Sequence, residues 1–163
     1  MQVEPLSDWH DRTSFVSGAD PLDRYFRTQA GQDIGKRVAS CFVLTESEGG
    51  APIGFYTLAA TSIALANLSP TLAKRLPRYP ILPAALLGRL ALNNNYQRRG
   101  LGQLLLMDAF IRTLRSEIAI FAFVVNAKDN NAKNFYEAHG FVPLRASSRY
   151  MFMPMSEVAK LFV

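Results

Sequence analysis

Acidic side chains are missing from a long central stretch. Between Gly49 and Met107 there is no Asp or Glu, while Lys74, Arg75, Arg78, Arg89, Arg98 and Arg99 all fall there. The whole chain carries a formal charge of +5 and a pI of about 9.6. A field of one sign over the central third disfavours cationic ligands and favours a polyanion. Cysteine is nearly absent. Cys41 stands alone in an apolar run, so no internal disulfide can form, and a reducing, cytoplasmic location is expected. Apolar runs are short, broken by Arg89, Asn93 or Gln103, and none is expected to cross a bilayer. The opening Met-Gln-Val-Glu-Pro lacks the basic start and apolar run of a leader peptide. His10 and His139 have no Cys or carboxylate at ligand spacing, so no metal is expected. There are no internal repeats and no low-complexity segments.

What is present suits one domain over residues 1–163. The chain is 49% apolar and 19% charged, enough for one sizeable core. Asp20-Pro21 reads as a helix start, Asp as cap and Pro at the first position, with a helix to about Asp33. Strands are expected over Val38–Thr45 and Ile53–Leu65. Ser69-Pro70 caps a short helix that leads into Lys74 and Arg75, and prolines 77, 80 and 83 predict an extended loop. A strand over Leu86–Leu92 precedes a helix over Gly100–Ser116, whose apolar face holds Leu101, Leu104, Leu105, Phe110, Ile111 and Leu114. Ile118–Val125 is apolar throughout, as suits a parallel strand buried on both faces. Asp129 caps a helix over Asn130–His139 that Gly140 ends. Strands over Phe141–Leu144 and Arg149–Met155 and a terminal helix from Ser156 complete a mixed α/β order.

The chain is organised around Gly88 to Gly102: a strand, a polar loop of three asparagines and Tyr96, then a helix start. Gln97, Arg98, Arg99, Gly100, Leu101 and Gly102 form the junction. Successive N–H groups at such a turn converge on an anion, and the helix start adds partial positive charge. Glycines let the backbone approach the ligand. The turn lacks the Gly-Lys-Ser/Thr ending of a P-loop and the third glycine of a dinucleotide fingerprint.

Gln97-Arg-Arg-Gly-Leu-Gly102 resembles the Gln/Arg-x-x-Gly-x-Gly/Ala loop of GNAT acetyltransferases, which grips the pyrophosphate of coenzyme A. About thirty residues on, one helix and one strand later, Ala132-Lys-Asn-Phe-Tyr-Glu-Ala-His-Gly-Phe141 resembles a second signature of that superfamily. Asp129 stands where many members have Asn. One group is similar over nearly the full chain: the acetyltransferase toxins of toxin–antitoxin modules, which acetylate the amino acid on charged tRNA. The matching pieces are Gly18-Ala-Asp-Pro-Leu-Asp-Arg-Tyr-Phe26, Gly54-Phe-Tyr-Thr-Leu58, Leu76-Pro-Arg-Tyr-Pro80, Gly88-Arg-Leu-Ala91 and Phe135-Tyr136. Asp129 is tolerated in that group.

The resemblance implies a GNAT fold: a mixed, mostly antiparallel sheet with a splayed parallel strand pair and helices on both faces. It implies acetyl-CoA as cosubstrate, bound by Leu90, Ala91, Leu92, Gln97, Arg98, Arg99, Gly100, Leu101, Gly102, Asn131 and Phe135. Tyr136 is the matching position for the acid that protonates the leaving thiolate. Lys36, Arg37, Lys74, Arg75, Arg78 and Arg89 are the expected contacts to RNA phosphates. A small antitoxin and a second copy of the chain are expected partners. The absence of a base in the central stretch suits an α-amino acceptor, whose pKa is about 7.7–8.0, better than a lysine at about 10.4. Two other readings remain: acetylation of a protein N-terminus or small amine, and a nucleic-acid-binding module without catalysis.

Overall fold

The computed structural model describes residues 1–145, 147 and 149–163. The chain opens with a strand that sequence patterning does not signal, β1 (Gln2–Pro5). A helical stretch follows in three parts: α1 (Asp20–Arg24), a π-type turn (Tyr25–Gln29) and α2 (Ala30–Gly35). Strands β2 (Ser40–Thr45) and β3 (Gly54–Ala64) come next, then α3 (Pro70–Ala73) and β4 (Ile81–Leu92). The second half runs α4 (Leu101–Leu114), β5 (Ala122–Asn126), α5 (Asn130–Ala138), β6 (Val142–Pro143), β7 (Tyr150–Pro154) and α6 (Met155–Lys160). The strands form one seven-stranded sheet in the order β1-β2-β3-β4-β5-β7-β6. It is mostly antiparallel, with β4 and β5 as its parallel pair. No helix among the described residues is long and apolar enough to cross a membrane.

Two compact units make up the chain. The first holds Met1–Ala59 and Gly88–Ile111. Here β2 pairs antiparallel with β1 (Gln2↔Thr45) and with β3 (Cys41↔Thr57). Its core is aromatic: Phe15, Tyr25, Phe26, Cys41, Val43, Phe55 and Ala91 pack together. Phe26 lies flat on Phe55, ring centroids 4.2 Å apart. Burial pushes the Cys41 thiol up to about 12, so it packs as an inert small hydrophobe. Asp20 does not cap α1: the cap is Ala19, without a side-chain bond. The entry is fixed instead by buried Asp23, whose Oδ1 accepts the Ser17 N–H at 3.0 Å and hydroxyl at 2.6 Å. In the π-type turn the Ala30 N–H reaches back to the Tyr25 carbonyl. Arg12 Nη1 donates to the Phe26 carbonyl at 2.7 Å and holds that widened turn.

On the other face of this unit, α4 buries Leu101, Leu105, Leu106, Ala109 and Phe110. Leu104 and Leu114, expected in that stripe, are 38% and 37% exposed. The stripe is set by 101, 105, 106, 109 and 110, which turns 104 and 114 outward. Gly54 is required by packing, since a Cβ there would sit 2.8 Å from Leu92 Cδ2 and 3.2 Å from Leu105 Cδ1.

The second unit holds Ala60–Leu87 and Arg112–Val163. The parallel register runs from Ala84↔Ala122 to Leu87↔Val125, and β4 continues to Leu92. β7 pairs antiparallel with β5 (Val124↔Phe152) and with β6 (Val142↔Phe152). Ile63, Leu68, Leu82, Ala84, Ala122, Val124 and Phe152 form its core. β4 begins at Ile81, five residues before the expected Leu86, and contains Pro83. A proline is tolerated there because only its carbonyl is used, accepting the Phe121 N–H at 2.9 Å. β5 begins at Ala122 rather than Ile118, which is 78% exposed in a turn tied by Ser116 Oγ. Ser69 and Asp129 do cap α3 and α5, accepting N–H groups from Leu72 at 3.3 Å and Ala132 at 2.8 Å.

Candidate active site

The loop between β4 and α4 has the backbone of an anion grip. Gln97 is extended, Arg98 lies at φ 63°, Gly100 at φ 76°, and α4 begins at Leu101. Two left-handed residues with one residue between them are the backbone pattern that can turn successive N–H groups toward a common concavity. The fourteen-residue helix behind it adds its N-terminal partial charge. Nothing lies within 4 Å of where a Gly100 Cβ would be, so the glycine answers to its backbone angle rather than to crowding.

Short polar ties hold this loop. The Asn94 N–H donates to the Val16 carbonyl at 2.8 Å. Gln97 Nε2 donates to the Ser17 carbonyl at 2.8 Å and the Leu92 carbonyl at 3.1 Å, so its amide is spent on the loop itself. The Tyr96 hydroxyl donates to Glu46 at 3.1 Å, and the Arg99 guanidinium sits 5.1 Å from the Tyr96 ring centroid. Arg98, Arg99 and Gly100 are exposed. Before the loop, Leu90, Ala91 and Leu92 continue β4 past its register with β5. Ala91 joins the aromatic core, while Leu92 lies on the Leu105 side.

In the second unit, α5 carries Asn131, exposed in its first turn, Phe135, half-buried, and Tyr136, 5% exposed. Phe135 and Phe141 meet the Tyr136 ring edge-on at 5.3 and 5.5 Å. Burial pushes the phenol well above its ordinary range, so it is protonated at neutral pH. Its hydroxyl has no hydrogen-bond partner among the described residues. At the end of β5, Asn126 Oδ1 is buried without a partner. That orphaned acceptor has no sequence signature.

The six expected RNA contacts divide between the units. Lys74, Arg75 and Arg78 are exposed on α3 and the segment after it, in the second unit. Lys36 and Arg37 are exposed at the end of α2, in the first. Arg89 differs: it is half-buried, with its guanidinium 3.5 Å from the Tyr25 ring centroid. The Tyr25 hydroxyl donates to Asp33 Oδ2 at 2.8 Å and Gln29 Nε2 donates to Asp33 Oδ1 at 3.0 Å. Those two bonds, from Gln29 and then Tyr25, hold the Asp33 carboxyl below its usual range, with Arg89 and Lys36 adding to the effect. A carboxylate so stabilised is a poor base. Burial first, then the bond to Asp33, pushes the Tyr25 phenol up. Sequence reasoning did not single out Tyr25 and Asp33 as neighbours of Arg89. The i, i+4 and i, i+8 spacing of Gln29, Asp33 and Tyr25 was the available signal.

The chain's similarity to known proteins agrees with this geometry. Residues 37–143 match the model of the acetyltransferase (GNAT) domain. A tRNA-acetylating toxin of Mycobacterium tuberculosis is 38% identical over 133 residues, covering 80% of this chain and 78% of that protein. Among solved structures, AtaT complexed with acetyl-methionyl-tRNAfMet superposes with a TM-score of 0.89 at 26% identity, covering 99% of both chains. AtaTR bound with AcCoA superposes with a TM-score of 0.84 at 26% identity, covering 99% of this chain and 98% of that one. With a matching family model over most of its length, a left-handed turn at the expected loop and the Phe135-Tyr136 signature on α5, the chain belongs to the GNAT acetyltransferase family.

Proposed function

We propose that the protein transfers an acetyl group from acetyl-CoA to the α-amino group of an aminoacyl-tRNA, and so acts as a toxin that blocks translation. The observation that carries the cofactor half is the turn at Arg98 and Gly100, whose φ angles of 63° and 76° suit a backbone grip on an anion. The acceptor half is supported by the acid-free, cation-rich centre of the sequence and by the relatives named above.

Acetyl-CoA supplies an activated acetyl thioester. Arg98, Arg99, Gly100, Leu101 and Gly102 hold its pyrophosphate, and Asn131 and Phe135 contact it along α5. Backbone groups of Leu90, Ala91 and Leu92, past the paired part of β4, align the thioester arm and offer an N–H to the oxyanion that develops at the carbonyl. The amine nitrogen forms the new C–N bond as the C–S bond breaks. Tyr136 gives its phenolic proton to the departing sulfur and regains one from the solvent chain that takes the amine's proton. A free α-amino group is partly neutral at pH 7, so water suffices as acceptor of that proton.

Lys36, Arg37, Lys74, Arg75, Arg78 and Arg89 hold tRNA phosphates, which positions the acceptor without reading its bases. A small antitoxin encoded alongside holds the enzyme inactive, with carboxylates on the arginines. The working form is a cytoplasmic homodimer. Gly100→Asp tests the cofactor half. It forces a Cβ onto a left-handed backbone and sets a carboxylate beside the pyrophosphate, so a folded variant should lose coenzyme A binding in calorimetry. Unchanged affinity would take this loop out of the mechanism.

A further inference from the structure

Arg89 is the one expected RNA contact that the fold has built in rather than left on the surface. Its guanidinium lies 3.5 Å from the centroid of Tyr25, close enough to be stacked on that ring. The ring itself cannot drift. It is buried in the aromatic core, beside Phe55 at 6.5 Å, and its hydroxyl is tied to Asp33 at 2.8 Å. Asp33 is tied in turn to Gln29 at 3.0 Å. Tyr25 opens the π-type turn and Gln29 closes it, so the widened turn sets both ends of the relay.

The arrangement leaves Arg89 oriented and unspent. One face of the guanidinium is covered by Tyr25. Among the described residues no acceptor takes a hydrogen bond from its N–H edge, and no carboxylate forms an ion pair with it. Both Asp33 oxygens already accept bonds from Tyr25 and Gln29. A half-buried guanidinium with unclaimed donors in one plane is suited to a tetrahedral or planar anion held by two parallel bonds. We infer that Arg89, positioned by Tyr25 and Asp33, forms a dedicated phosphate subsite for the last phosphodiester of the acceptor's 3′ end. The terminal phosphodiester is favoured over any other because Arg89 immediately precedes Leu90–Leu92, the β4 backbone assigned to the thioester arm. An anion bound there lies next to the reacting amine, and in an aminoacyl-tRNA the nearest anion joins the last two nucleotides. This choice of ligand rests on the acceptor reading proposed above. Tyr25 and Asp33 are positioning residues; Arg89 makes the contact.

Two minimal acceptors isolate the phosphate: a 3′-aminoacyl adenosine, which has none, and the same aminoacyl group on cytidylyl-adenosine, which has one. The readout is the ratio of their kcat/KM values. The parent should prefer the dinucleotide by about 10- to 100-fold, the worth of a charge-assisted bidentate contact. Arg89→Gln should bring the ratio near one. Tyr25→Leu, which removes the stacking surface, should lower it as well. Where that variant fails to fold, Arg89→Lys keeps the charge, loses the planar fork, and should lower it likewise. Lys160→Gln, which removes an equal charge on α6, should leave the ratio alone. A ratio unchanged in Arg89→Gln overturns the subsite, and so does an equal loss on both acceptors. Binding of the trinucleotide CpCpA to the coenzyme-A-loaded protein gives a readout without turnover. If its affinity falls in Arg89→Gln but the parent acetylates no charged tRNA, the subsite stands and the acceptor reading fails. Equal affinity in parent and Arg89→Gln overturns the subsite.

Discussion

At the scale of one residue, Tyr136 is the proposed acid. Its phenol is 5% exposed, and burial alone raises it, so the proton is held until the pH passes well beyond the ordinary phenol range near 10. Ionising it in the unfolded chain but not in the folded one would lower stability only above that range, so its titration leaves stability unchanged at neutral pH. Tyr136→Phe keeps the ring among Phe135 and Phe141 and removes the proton. Turnover should fall by about 10²- to 10⁴-fold, the usual contribution of a general acid, while coenzyme A affinity is held. Turnover equal to the parent's would assign the proton to water or another group. Arg89 makes a different point at the same scale. Its charge was legible in the sequence, but its stacking on Tyr25 was not, because the two lie 64 positions apart and meet only through the fold.

At the scale of elements, β4 and the loop after it hold most of the residues proposed to bind the cofactor. The junction was legible because its signals are local: a Gly-x-Gly pair, two arginines and the onset of helical periodicity. The strand's true start was not. Pro83 argued against a strand, yet it needs only its carbonyl, which accepts the Phe121 N–H. β1 was hidden for a related reason. Four residues ending in Pro5 have no periodicity of their own and become a strand only by pairing with β2. The π-type turn escaped as well, since nothing in Tyr25–Gln29 marks an extra residue before Arg12 reaches the Phe26 carbonyl. Close packing behind β4 gives the element a test. Gly54→Ala sets a Cβ 2.8 Å from Leu92 Cδ2 and 3.2 Å from the Ala91 carbonyl. Overpacking of this kind costs about 1–3 kcal/mol, so thermal unfolding should shift several degrees lower. Leu92 and Ala91 should move with it, which weakens coenzyme A binding beyond the loss of stability. An unshifted melting curve would mean that β4 yields easily there.

At the scale of the whole molecule, the charge distribution is what the proposed acceptor rests on. The net charge of +5 comes with an acid-free stretch from Gly49 to Met107, and Arg75 and Arg78 are among its exposed cations. Arg75→Glu combined with Arg78→Glu should lower acetylation of charged tRNA and flatten its salt dependence, because each phosphate contact releases counterions. Coenzyme A affinity should be retained. Equal loss of both would make these residues supports of the fold. Family membership fixes the reaction type, and the acceptor is the central claim. It is tested most directly by incubating the protein with labelled acetyl-CoA and a total pool of charged tRNA, then digesting the products to nucleosides. The account predicts label on the α-amino group of an aminoacyl-adenosine, dependent on Tyr136. Label found only on protein N-termini or free small amines, with charged tRNA untouched, would contradict it.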